Sequence, residues 1–244
     1  MSSHQVGPDL TGQRVLIVGG ARDIGLALAR AVAAAGATAV IGARDAGRAA
    51  GAAADVPGAE WVRVDVTDEA GVVEALEQVR PLDHIVVTAS AHHNVPVVDL
   101  DHDLTVAAFE AKVIGPMLLA KHAASVLPPT GSIVLFSGVA AWNPAPGYAV
   151  MGITNGAVAF AATHLARELA PIRVNAVSPG IIDSGSWDTM GEETKRDFLR
   201  GAAQQTLVGR VGENEDIASA VLWLLGAGFV SGETIHVEGG ARHA

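Results

Sequence analysis

The chain has 244 residues, with 16 Lys and Arg against 26 Asp and Glu, a formal net charge of −10 and no cysteine. Its length suits one large α/β unit at about 150 residues per domain, and with 50% hydrophobic residues it can bury a sizeable core, which excludes disorder and collagen-like structure. The acidic balance speaks against a nucleic-acid partner, because phosphate binding needs a basic surface, and the lack of cysteine excludes disulfides, thiolate metal ligands and a cysteine nucleophile. The stretch from Met1 to Pro8 is polar and lacks the basic-then-apolar plan of a signal peptide. No apolar run reaches the ~20 residues that span a bilayer. The expectation is a cytoplasmic protein with a small-molecule substrate, no membrane partner and no metal-ligand set.

In chain order, short β-branched runs alternate with longer Ala-rich helical stretches. Arg14 to Val18 reads as a buried strand and Ile24 to Ala35 as a helix. Thr38 to Gly42 is a second strand and Trp61 to Val64 a third. Asp68 to Val79 is helical, with Thr67 placed to cap its N-terminus and acidic residues in its first turn. His84 to Val87 is a fourth strand, and Leu104 to Leu127 a long helical region interrupted at Gly115-Pro116. Ser132 to Phe136 is the fifth strand, followed by a helix over Ala149 to Leu169. Ile172 to Val177 and Thr234 to Val237 complete the set as sixth and seventh. Strands separated by helices need crossovers, so a parallel sheet with helices on both faces is expected. With no repeat and no linker, residues 1–244 form a single domain.

The first strand runs into Gly19-Gly20-Ala21-Arg22-Asp23-Ile24-Gly25, and a helix follows. Glycine there lets a diphosphate approach the backbone, and the free N–H groups of the helix start bind it. An ordinary tight turn would look similar; the position after the first strand favours the dinucleotide. Further on stand Val64 to Asp68 (VDVTD), Ile172 to Gly180 (IRVNAVSPG), Leu207 to Asp216 and Ser231 to Gly240 (SGETIHVEGG). Taken in this order, these segments resemble the short-chain dehydrogenase/reductase family over nearly the whole chain. The resemblance implies a doubly wound, Rossmann-like sheet of seven strands in the order 3-2-1-4-5-6-7. It departs from the family in the glycine turn, where Asp23 replaces the middle glycine. A carboxylate there would crowd the diphosphate, unless it pairs with Arg22 or turns outward.

The cofactor positions follow from the resemblance. Arg44, after the second strand, stands where NADP-preferring members carry arginine, and Arg22 is a second such position. Two guanidinium groups converging on a 2′-phosphate would form a charge-assisted site; otherwise both are solvated surface arginines. NADP(H) is therefore the expected cofactor, with Gly19, Ile24 and Gly25 at the diphosphate and Asp65 and Val66 at the adenine. Ala89 and Ser90 flank it after the fourth strand, and Asn155 faces the nicotinamide ribose. Pro179, Gly180, Ile182 and Ser184 hold the carboxamide. The polar stretch through roughly Leu199 should form a substrate lid, with Trp187 and Met190 as apolar wall candidates.

The family's catalytic residues are a Ser, a Tyr thirteen residues later, a Lys four after that, and an Asn on the preceding long helix. Tyr148 is the only tyrosine, but its i+4 partner is Gly152, which has no ammonium to offer. Counting back 24 from Asn175 lands on Met151, and counting forward 13 from Gly138 lands there too. On that register Ser, Tyr and Lys become Gly138, Met151 and Asn155, and the relay asparagine becomes Lys112. Methionine cannot exchange a proton. Tyr148, one helical turn before Met151, and Lys112, from the neighbouring helix, are the candidates to supply a proton or positive charge. The plainer alternative puts Met151 in the core, Tyr148 in a loop and Lys112 on the surface. His92 and His93 either line the substrate mouth or are solvated loop residues, and His164 belongs to the body of its helix.

Three functions fit. The first is an NADP(H)-dependent oxidoreductase acting on a carbonyl or alcohol with an altered proton donor. The second is a non-redox isomerase, dehydratase or cyclase on the same scaffold, and the third a catalytically silent subunit. The Ala-rich long helices also point to a homo-oligomer, tetramer or dimer, because small residues permit close helix contacts.

Overall fold

The structure is a computed structural model and describes residues 8–244, so all but the last residue of the Met1 to Pro8 stretch lies outside the described residues. From the N-terminus the elements are β1 (Arg14–Val18), α1 (Asp23–Ala34), β2 (Thr38–Ala43), α2 (Ala46–Ala54) and β3 (Glu60–Arg63). Next come α3 (Glu69–Gln78), β4 (His84–Val87) and α4 (His102–Phe109). A π-helical turn, Glu110–Ile114, joins α4 to α5 (Gly115–Ala123). The chain then forms β5 (Ser132–Phe136), α6 (Ala149–Glu168), β6 (Arg173–Pro179), α7 (Glu192–Gln204), α8 (Asn214–Gly226) and β7 (Thr234–Val237).

All seven strands are parallel, in the order β3-β2-β1-β4-β5-β6-β7. Side chains alternate across a strand, so β1 sends Val15 and Ile17 to one face and Leu16 and Val18 to the other. The first face packs on Leu28 and Val32 of α1 and on Ile217 and Val221 of α8. The second packs on Leu76 of α3, Leu119 of α5 and Val158 of α6. Each buried Leu, Ile or Val removes enough apolar surface to contribute roughly 1.5–3 kcal/mol, which is why β-branched runs buried on both faces define this sheet. The strand order reverses between β1 and β4, and the crevice at such a point, beyond the carboxyl ends of the strands, is where open α/β sheets bind ligands.

Several boundaries differ from expectation. The cap of α3 is Asp68 rather than Thr67: its carboxylate accepts from Gly71 N at 3.1 Å, while Thr67 donates to Asp65. The 104–127 region ends at Ala123, and its irregularity is the π-turn preceding Gly115-Pro116, because proline at N1/N2 fits the first turn of a helix. β6 begins at Arg173 and runs on to Pro179, pairing with β7 through Pro179. Helices α2, α7 and α8 were not expected: α2 is nearly all Ala and Gly, and α7 is strongly polar. Helix α6 does have the length and apolar composition to cross a membrane. One side of it packs on the sheet through Val158 and Ala162. His164 is exposed on that helix rather than part of its packed face.

Candidate active site

A broad cleft of about 1490 Å³ opens along the carboxyl ends of the strands, and the cofactor and catalytic candidates named from the sequence line it, whereas Met190 and His93 do not. At its centre is the turn from β1 into α1. Gly19 sits at φ 90°, and a Cβ there would lie 2.4 Å from Thr88 Oγ1; one on Gly25 would lie 2.2 Å from the Gly19 carbonyl. No larger residue fits either position. Asp23 keeps a left-handed backbone, φ 50°, which aspartate tolerates better than most residues. Its carboxylate pairs with Arg22 Nη1 at 3.1 Å, which is the pairing alternative rather than the crowding one. The turn survives the loss of its middle glycine.

One end of the cleft, where the resemblance places the adenosine, is built by the loops after β2 and β3. Arg44 is exposed on the cleft wall, which Arg22 and Arg48 of α2 also line, the last a third guanidinium the sequence reading missed. Asp45, on the same wall, caps α2, its carboxylate accepting from Arg48 N at 2.8 Å. Asp65 closes a local turn with Thr67, at 3.0 Å to its N–H and 2.8 Å to its hydroxyl, with Val66 beside it. After β4, Ala89 and Ser90 reach the wall, and the Ser90 hydroxyl is buried without a partner. A buried unpaired hydroxyl costs about 1–3 kcal/mol, so a ligand hydroxyl or amide at that point would satisfy it. The glycine cradle, the orphaned Ser90 and the arginines fit a dinucleotide phosphate.

The other end is where the residues change character. Lys112 sits in the middle of the π-turn and is only 7% exposed, so it is no surface lysine. Its Nζ donates to the Ser137 carbonyl at 3.5 Å, and burial alone pulls its pKa down to about 8. Ser137 Oγ in turn donates to the Asn155 carbonyl at 2.7 Å, so one residue ties the π-turn to α6. Gly138 is packed against Asn155: a Cβ at 138 would lie 2.7 Å from Asn155 Nδ2. Gly138, Met151 and Asn155 share the cleft wall, and Met151 is half-buried there rather than in the core. Tyr148, 37% exposed, precedes the first turn of α6 and faces the same cleft.

The two loop histidines part company. His92 lines the cleft, its pKa lowered by desolvation first and then by the charges of Lys112 and Arg22. His93 points inward, buried, and its Nε2 accepts from Asp101 N at 3.0 Å, which makes it a structural residue. Beyond β6, Pro179, Gly180, Ile182 and Ser184 form the rim, with Ser184 Oγ 3.0 Å from Ser186 Oγ. The expected polar lid is largely helix α7. Trp187 is on the cleft wall, pinned by its Nε1–H to the Ile182 carbonyl at 2.8 Å, whereas Met190 is exposed outside it. Phe198 of α7 takes that place, its ring 4.7 Å from Trp187. Phe198 could have been found from the apolar spacing within 192–204. Lys195 bridges Asp183 and Asp188, each at 2.7 Å, and holds the lid against the loop below it.

Residues 19–242 match the family model described as Enoyl-(Acyl carrier protein) reductase. The chain is 32% identical to the short-chain dehydrogenase/reductase ATR9 of Stachybotrys chlorohalonatus, over 96% of its own length and 98% of that protein's. A small-chain dehydrogenase crystallised in complex with NADPH superposes with a TM-score of 0.84 at 30% identity, covering 95% of this chain and 99% of the other. The MalC reductase/Diels-Alderase of Malbranchea aurantiaca superposes with a TM-score of 0.88 at 27% identity, covering 95% and 97%.

Proposed function

The chain belongs to the short-chain dehydrogenase/reductase family, oxidoreductases that use a nicotinamide cofactor, and from that premise we propose that it is an NADP(H)-dependent enzyme acting on a carbonyl or alcohol with an altered proton donor. The observation that carries the reading is the partnerless Ser90 hydroxyl on a wall shared with the glycine cradle and three arginines. NADPH, when bound, supplies the hydride. Arg44, with Arg48 and Arg22, would take the 2′-phosphate, and the N–H groups around Ile24 the diphosphate. Asn155 would hold the nicotinamide ribose, and Ser184 the carboxamide. At the reacting oxygen, Met151 offers no proton. Tyr148 is then the donor and Lys112 the positive charge that stabilises the oxyanion. The test is NADPH binding by titration, followed by loss of nicotinamide absorbance over a panel of ketones and quinones; no binding of NADPH defeats the reading.

A second reading, a non-redox enzyme such as a cyclase, isomerase or dehydratase, is favoured by Met151 where an acid is expected. The likeness to a protein described as both reductase and Diels-Alderase supports it. NADPH binding with no redox turnover on any carbonyl would favour it. The same proposal includes a homo-oligomer in the cytoplasm. Exposed Leu104, Ile114, Met117, Ile153 and Phe160 on α4 to α6 support assembly, because apolar side chains at helical spacing gain by covering one another. A monomer of 24.8 kDa by light scattering at micromolar concentration would contradict it.

A further inference from the structure

Lys112 is a buried cation that the fold itself does not neutralise. Among the described residues it makes no ion pair, and its one hydrogen bond is to a neutral carbonyl at 3.5 Å. The four carboxylates lining the cleft are all engaged elsewhere. Asp23 pairs with Arg22, and Asp197 with Arg200 at 3.3 Å. Asp45 caps α2, and Asp65 is held by Thr67. His92, a titratable residue on the wall, is pushed toward its neutral form by desolvation first and then by the same ammonium, and adds no negative charge. Removing an ammonium from water without a counter-charge costs several kcal/mol, and a methionine of similar length would fill the space without that cost. A ligand anion at that point would neutralise it. The cofactor phosphates have their own seats at the glycine turn and the arginines, leaving the substrate.

The apolar walls of the same cleft limit the substrate's shape. Trp187 is fixed by its indole hydrogen bond and meets the Phe198 ring at a tilt, and Tyr148, Met151 and Pro146 line the same cleft. Such walls favour a flat ring over a flexible chain. We propose that the substrate is a planar aromatic carbonyl compound carrying an acidic hydroxyl group, whose ionised oxygen binds Lys112. This rests on the reading of the cleft as a substrate site, and it deepens that reading by naming the class.

The test uses two probes of equal ring size, 2-hydroxy-1,4-naphthoquinone, ionised at neutral pH, and 2-methyl-1,4-naphthoquinone, which is not. Calorimetric titration of the protein, with and without NADP+ to prevent turnover, should show the hydroxy probe binding about tenfold or more tightly, the range of a charge-assisted hydrogen bond. Lys112→Met should erase that preference while remaining folded, Lys112→Arg should keep part of it, and Trp187→Ala should weaken both probes alike. Equal affinities for the two probes, binding of neither, or a preference that survives Lys112→Met would each overturn the proposal. Failure of NADPH to bind, with the preference intact, would instead remove the oxidoreductase reading and leave this one standing.

Discussion

The two ends of the cleft are built on opposite principles. At the adenosine end charges are exposed and backbone geometry does the holding: a glycine turn, a cap by Asp45 and three solvated arginines. At the other end the decisive groups are buried and interlocked, with Lys112, Ser137 and Asn155 joined in a chain and Gly138 packed under Asn155. Exposed, independent contacts can change one at a time. A buried interlocked set changes together, because each member fills the space or meets the hydrogen bond of the next. A substitution at the buried end therefore has to be matched by its neighbours, whereas one at the exposed end does not.

The largest expected effect tests the buried end. Tyr148→Phe and Lys112→Met should each lower kcat by ~10²–10⁴-fold, the usual cost of losing a positioned acid or an electrostatic stabiliser, while Met151→Leu changes it little. Steady-state kinetics on whichever carbonyl turns over would decide it. Unchanged kcat in Tyr148→Phe would mean that water or the substrate supplies the proton. The interlocking can be broken directly: Gly138→Ser alone should destabilise the protein, because its Cβ would meet Asn155 Nδ2. The triple change Gly138→Ser, Met151→Tyr, Asn155→Lys should restore a folded protein and gain ketone reduction with NADPH. Urea midpoints and turnover of the two variants check both halves.

Lys112 sets the next effect, on stability. Burial lowers its pKa from 10.5 to about 8, so between those values the unfolded chain binds a proton that the folded one has released. Stability therefore rises with pH through that window and is flat below it, with a ceiling of roughly 3 kcal/mol. Lys112→Met should remove the rise and be more stable than the parent near neutrality, even as it loses activity; urea midpoints taken across the window would show both.

At the exposed end effects are smaller. Arg44→Asp should weaken NADPH by about 1–3 kcal/mol and spare NADH, as read by parallel titrations; equal affinities in the parent would remove the basis for it. Asp45→Ala should cost ~1 kcal/mol of stability as a lost helix cap and leave the NADPH-to-NADH ratio unchanged. A shifted ratio would make Asp45 a reader of the ribose.

Legibility in the sequence follows the same division. Strands β4, β5 and β7 stand on the residues expected, because continuous β-branched runs between turn residues leave no competing period. Helix α2 was missed because alanine and glycine carry no apolar stripe, and α7 because its few apolar residues sit among charges. Many residues lining the cleft could be found by counting along the chain, since motif spacing fixes which positions follow each strand, but Arg48 and Phe198, which lie on helices α2 and α7, could not be reached that way. What counting could not supply was state: that Lys112 is buried, that His93 turns inward while His92 does not, and that Asp23 folds onto Arg22. Those depend on neighbours distant in sequence, and no local pattern encodes them.

The widened turn at Glu110–Ile114 carries an angular consequence. Each residue of an α-helix advances about 100° around the axis, and a π-turn inserts one residue beyond the regular count. It works as a splice between two helical phases: the turn itself presents Ala111 and Lys112 to the cleft, and the helix downstream packs Leu119, Ala120 and Ala123 into the core on the sheet. Deleting one residue there would straighten the helix and leave a single phase. Either the core-facing stripe of α5 or the lysine would then be rotated out of place, and the protein would have to choose between its packing and its charge.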